Sequence, residues 1–217
     1  MKTGMYQYFL NGQPTGITEN FQIESLPDDM QKTSAIREAT TFKTRISLEA
    51  VHDKLNFKSF EIQMTNAEAE TIRAVYEFAD QKVFVARQIN GENSFDEEIT
   101  LPENCIIFPL MRVFQGAVIS KVAESNQAVP VLIPAIENPA DTTNLLRPTF
   151  DLRRAEQIGE ESITFYQPHS VTINTRIYSY TGKHYDEKSR FWIDENGLLV
   201  SYIFHQAEDK IWEMILS

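Results

Sequence analysis

The stretch FWIDENGLLVSYIF, residues 191–204, decides the fold. Two apolar arms flank Glu195-Asn196-Gly197, and each arm carries bulky side chains at both parities. Asn-Gly between such arms is a strong hairpin signal, because both residues tolerate positive φ. A hairpin that is apolar on both faces must be covered on two sides, which predicts a curved sheet wrapped around an apolar interior.

Working outward, alternation dominates. Phe42, Thr44, Ile46, Leu48 and Ala50 share one parity, and Lys43, Arg45, Ser47 and Glu49 the other. That period of two marks a strand buried on one face. Ile17, Phe21 and Ile23 repeat it against Thr18, Asn20, Gln22 and Glu24, and Ile72, Ala74, Tyr76 and Phe78 against Thr71, Arg73 and Glu77. Val171, Ile173 and Ile177 alternate with Thr172, Asn174, Arg176, Tyr178 and Tyr180, again as a strand. Between Leu55 and Met64 the apolar parity switches, so a bulge at Lys58 or Ser59 is expected to bend that strand. Asn11-Gly12, Asn90-Gly91 and Asn196-Gly197 all lie between strand-like runs, which predicts short antiparallel connections.

One segment is helical. Leu110, Val113, Phe114, Ala117, Val118 and Val122 fall at helical spacing after Pro109, so an amphipathic helix is expected near 110–122. Gly116 weakens it by about 1 kcal/mol unless a backbone packs close against the glycine. Residues 127–148 hold four prolines and are expected as a Pro-rich loop or lid, or an edge strand, within a single domain spanning 1–217. The expectation is mainly β: a strongly curved antiparallel sheet, half-barrel or β-roll, of about eleven to thirteen strands with one helix.

Composition bounds the function classes. With 31 acidic and 20 basic side chains the formal charge is -11, which opposes binding to nucleic acid. No stretch approaches the apolar length of a transmembrane helix. The single cysteine, Cys105, precedes Ile106, Ile107 and Phe108 and reads as a buried, inert thiol. MKTGMYQYFL contains no secretory core, so a cytoplasmic location is expected.

The order GEESITF, VTINTRIYSY, a glycine turn, FWIDENGLLVSYIF and a terminal WEMIL strand resembles the carboxyl end of bacterial proteins with the lipoprotein localisation factor fold. It is similar also to an uncharacterised periplasmic relative of that group. Trp192, Asp194, Gly197, Leu198 and Leu199 carry the likeness, which is best over the last third of the chain. The resemblance implies a half-barrel wrapped around a helix, with a concave apolar side that binds acyl chains, and a periplasmic setting.

No phosphate loop, zincin helix or serine elbow occurs, and no cofactor or metal is implied. His52, His169, His184 and His205 are scattered; His184 near Asp186 and Glu187, or His205 near Asp209, could form an acid–base pair of a hydrolase or isomerase. The acidic groups at Asp96, Glu97, Glu98 and at Glu156, Glu160, Glu161 read as solvated charge. Arg147, Arg153 and Arg154 read as partners of nearby acids, or as holders of an anionic head group. Non-catalytic binding of an elongated hydrophobic or lipid-like ligand is the leading expectation, with Phe42, Ile46, Leu48, Tyr76, Phe78, Phe114, Tyr178, Trp192 and Tyr202 as its lining. The enzyme is one alternative; a protein–protein interaction module, through a sheet edge or apolar patch, is the other.

Overall fold

A computed structural model describes residues 1–136, 138, 142–165, 170–183, 185–207 and 209–217. Its strands are β1 (Lys2–Leu10), β2 (Gln13–Ser25), β3 (Gln31–Ala39), β4 (Thr44–Asp53), β5 (Asn56–Thr65), β6 (Thr71–Ala79), β7 (Lys82–Ile89) and β8 (Glu92–Thr100). There follow β9 (Ile106–Ile107), helix α1 (Arg112–Glu124), β10 (Val129–Pro134), β11 (Pro148–Phe165), β12 (Val171–Thr181), β13 (Arg190–Asp194), β14 (Leu199–Ala207) and β15 (Lys210–Leu216). All fifteen form one curved sheet in the order β8 back to β1, then β15 back to β9. The chain ends meet where Tyr6 pairs with Leu216, while β8 and β9 stay unjoined, so the sheet does not close into a barrel.

Every pairing is antiparallel except β9 with β10, which α1 connects as a single parallel crossover. No periodicity signals that crossover, because two residues, Ile106 and Ile107, are too few to show a period. Residues 129–134 of the Pro-rich stretch form a strand between β9 and β11. Strand β9 pairs only with Val131 and Leu132, so Pro130 and Pro134 face no ladder partner on that side.

The turns follow backbone chemistry. Asn11-Gly12 and Asn90-Gly91 take positive φ at both residues, as two-residue hairpins require. The 191–204 hairpin differs: Asp194 N donates to Leu198 O at 2.9 Å, and Gly197 N to Asp194 O at 3.1 Å. Asp194 Oδ1 accepts from Asn196 N and Leu198 N, so the aspartate side chain organises a longer turn. Bulges also re-aim side chains. Val51 pairs with Ser59 and His52 with Phe57, leaving Lys58 as the extra residue at the expected parity switch. Trp192 pairs with Ser201 and Ile193 with Leu199, leaving Val200 out of register, and this lets Leu199, Val200 and Tyr202 all be buried.

Helix α1 lies inside the curve and is buried on most sides, at Val113, Phe114, Gln115, Gly116, Val118, Ile119 and Val122. The one helix expected near 110–122 is thus present over Arg112–Glu124, enclosed by the sheet. The hairpin backbone crosses it at Gly116, where a β-carbon would stand 2.6 Å from Leu199 N. Phe114 meets Phe57 edge-on at 5.3 Å, and Phe60 stacks on Tyr76 at 4.4 Å, so aromatic rings fill the interior beside the helix.

Two of the side chains expected to line the interior, Phe42 and Trp192, fall elsewhere. Phe42 sits in a 3₁₀ turn, Thr40–Phe42, and is 58% exposed, because Lys43 takes a left-handed conformation and breaks the alternation before β4 begins. Trp192 faces outward, since Phe191 and Ile193 are the buried residues of β13. Tyr178 and Tyr180 of β12 are buried, while Val171 at the start of that strand is exposed.

Candidate functional site

Charged residues occupy inward positions on three neighbouring elements. Glu19 lies between Ile17 and Phe21 on the inward parity of β2 and is 0% exposed. Its Oε2 accepts from Arg37 Nε at 2.8 Å, from Arg37 Nη2 at 2.6 Å and from Tyr8 Oη at 3.2 Å. Its Oε1 accepts from the backbone N of Arg112 at 2.5 Å, so a carboxylate from the sheet caps the first turn of α1. Arg37 Nη2 also donates to Leu110 O at 2.9 Å. One buried acid thus ties β1, β2 and β3 to the start of the helix.

The network continues outward. Arg112 Nη1 donates to Gln115 Oε1 at 2.5 Å and to Tyr185 Oη at 3.1 Å, and Gln115 Nε2 reaches the same phenol at 3.3 Å. Burial would raise the Tyr185 phenol, but the Arg112 charge, the hydrogen bonds from Gln115 and Arg112, and the Arg153 charge outweigh it and hold the group below its ordinary value. Arg153 is 4% exposed on β11. Its guanidinium lies 5.3 Å from the ring centres of both Tyr180 and Tyr185, and its Nε is 2.6 Å from Asp151 Oδ2.

These groups border a pocket of about 380 Å³, within the range of small-molecule sites. Arg37, Arg112, Arg153 and Tyr185 form its polar side, and Phe108, Leu110, Ile133, Ile136 and Phe150 its apolar side. Phe108 and Leu110 come from the link between β9 and α1, Ile133 from β10, Ile136 from the segment just after it, and Phe150 from β11.

None of the nine residues expected to line a ligand borders this pocket. Ile46, Leu48, Tyr76, Phe114 and Tyr202 are buried in the core cluster, and Phe78 packs against it. Tyr178 borders a separate groove with Glu124 and Arg154, and Trp192 Nε1 donates to Glu161 Oε2 at 2.9 Å. Of the three arginines grouped in the sequence, only Arg153 enters the site; Arg154 is exposed and Arg147 lies 4.3 Å over the Phe95 ring. Glu19 and Arg37 were missed, and their signal is a charge placed at the parity of apolar neighbours.

His52 is buried on β4, where its Nε2 shares a 2.8 Å hydrogen bond with Thr33 Oγ1. His205 pairs with Ile211 across the β14–β15 ladder. The proposed pairing at His184 lies outside the described residues, as does His169. Among the described residues no group of three or more His, Cys, Asp or Glu side chains could hold a metal ion. Likewise, no helix among them is long and apolar enough to cross a membrane.

No protein-family model matches the chain, and no curated protein matches it. Among solved structures, a β-barrel-like protein of the domain of unknown function DUF1849 from Brucella abortus is similar, at a TM-score of 0.52. The chain shares a β-barrel-like fold with it. The alignment covers 99% of this chain and 94% of that one at 10% identity, so the likeness concerns the fold alone. It supports the barrel-like part of the resemblance drawn from the last hairpin; the lipoprotein localisation factor itself is not named by it.

Proposed function

We propose that the protein binds, without altering it, an elongated hydrophobic or lipid-like molecule, one end of which enters the pocket between the start of α1 and the β10–β11 turn. The observation that carries this reading is the apolar side of that pocket, where Phe108, Leu110, Ile133, Ile136 and Phe150 converge on about 380 Å³. Phe150 is 42% exposed at this position, an aromatic surface that a bound chain would cover. The aromatic rings and α1 fill the middle of the sheet, so the reading places the ligand at the end of the concave side.

A fluorescent fatty acid tests it. Saturable uptake, weakened by about tenfold or more in Ile136→Asp through loss of apolar contact and burial of a charge, is the expected result. No uptake by the folded wild-type protein overturns the proposal.

A further inference from the structure

Arg153, buried at the edge of the pocket, has an unspent edge. The side chain is 5% exposed, Asp151 Oδ2 lies 2.6 Å from Nε, and Nη1 has no hydrogen-bond partner. Buried guanidinium donors without acceptors are costly, and a site that keeps one intact is built to meet an incoming acceptor. Its surroundings hold it in place. Tyr180 and Tyr185 lie on it at 5.3 Å each, and a β-carbon on Gly182 would stand 2.3 Å from Arg153 Cδ. The glycine therefore leaves the room in which the arginine side chain lies.

The charge balance agrees. Arg37, Arg112 and Arg153 bring three positive charges to this side of the pocket, against the carboxylates of Glu19 and Asp151. Glu19 is fully engaged by Arg37, Tyr8 and the helix start. Arg112 likewise has an Nε without a partner. A positive excess in a buried, aromatic setting favours an anion more strongly than it would in water.

We propose that the pocket recognises the anionic head, a carboxylate or a phosphate, of its amphipathic ligand through Arg153, with Arg112 and Tyr185 completing the polar side. This rests on the binding reading above and sets its ligand class. Arg153 presents the Nη1 edge to one oxygen of the head group, while the chain lies against Ile133, Ile136 and Phe150. The lowered Tyr185 phenol is a further sign of positive potential at the same point.

The test is displacement of a fluorescent fatty acid from the full chain by decanoate, decyl phosphate and decanol, with thermal shift by acetate and inorganic phosphate alongside. Decanoate or decyl phosphate should bind at least about tenfold more tightly than decanol, the stronger of the two identifying the head group. Gly182→Ala, which crowds the arginine without removing a charge, should erase most of that ratio; Arg153→Met should do the same if it folds. Equal binding of decanol and both anions overturns the anion site and leaves apolar binding standing. Stabilisation by small anions that Gly182→Ala abolishes, with no gain from a decyl chain, supports the anion site and overturns the apolar reading. No response to any of the five compounds overturns both.

Discussion

Gly116 of α1 and Gly197 of the last hairpin approach so closely that a β-carbon on Gly116 would stand 2.4 Å from the Gly197 carbonyl oxygen. The helix and the β13–β14 turn are in backbone contact, with no side chain between them. Gly116→Ala sets the helical preference of alanine, about 1 kcal/mol, against a clash with backbone that cannot swing aside, at about 1–3 kcal/mol or more. We expect net destabilisation, read as a lower urea midpoint. An unchanged or higher midpoint would show that the helix can retreat from the hairpin.

Removing Glu19 should be among the most damaging single changes. In Glu19→Ala the buried Arg37 guanidinium loses its carboxylate and α1 loses its cap, which points to about 3–5 kcal/mol. Because the loss comes mostly from the stranded cation, Glu19→Leu combined with Arg37→Met should recover part of it. A double variant as unstable as the sum of the two single ones would refute this account.

His52 gives the fold an acid-side weakness. Burial lowers its pKa from 6.5, so the folded protein favours the neutral ring. Above about pH 6.5 both states are neutral at this site and stability is full. As the pH falls below that, the unfolded chain takes up a proton first, and stability declines until the lowered folded value is passed. Urea midpoints measured between about pH 7.5 and 5 should fall for the wild type and fall less steeply for His52→Gln. Parallel slopes would assign the acid sensitivity to other groups.

Cys105 should be slow to react. Burial pushes its thiol up to about 11. Iodoacetamide at about pH 8 should modify it at least about tenfold more slowly than free cysteine, because so little thiolate is present. Full reactivity should return in urea. Rapid labelling of the native protein would contradict the burial.

Much of the architecture was legible because a strand buried on one face writes its register directly into residue type. Ile46, Leu48 and Ala50 point inward as their parity requires, and the switch at Lys58 marks a real bulge. Reading failed where a local backbone event reset that parity. Lys43 in the left-handed region turned Phe42 out, and the bulge at Val200 let Leu199, Val200 and Tyr202 of the last hairpin all be buried.

The site was less legible than the fold. Glu19 and Arg37 occupy inward positions that the alternation already marked, but one strand does not show that an acid and a base on adjacent strands will meet at 2.6 Å. Arg153 could be listed with its neighbours in sequence, yet its role depends on Tyr180, Tyr185 and Gly182 arriving from another strand and loop. Residue order alone determined a curved, mainly antiparallel sheet around one helix, because period-two burial and turn chemistry are local properties of the chain. Tertiary structure alone decided that the helix fills the hollow and that buried charges gather at its amino end, because packing and Coulomb forces act between residues that sequence keeps apart.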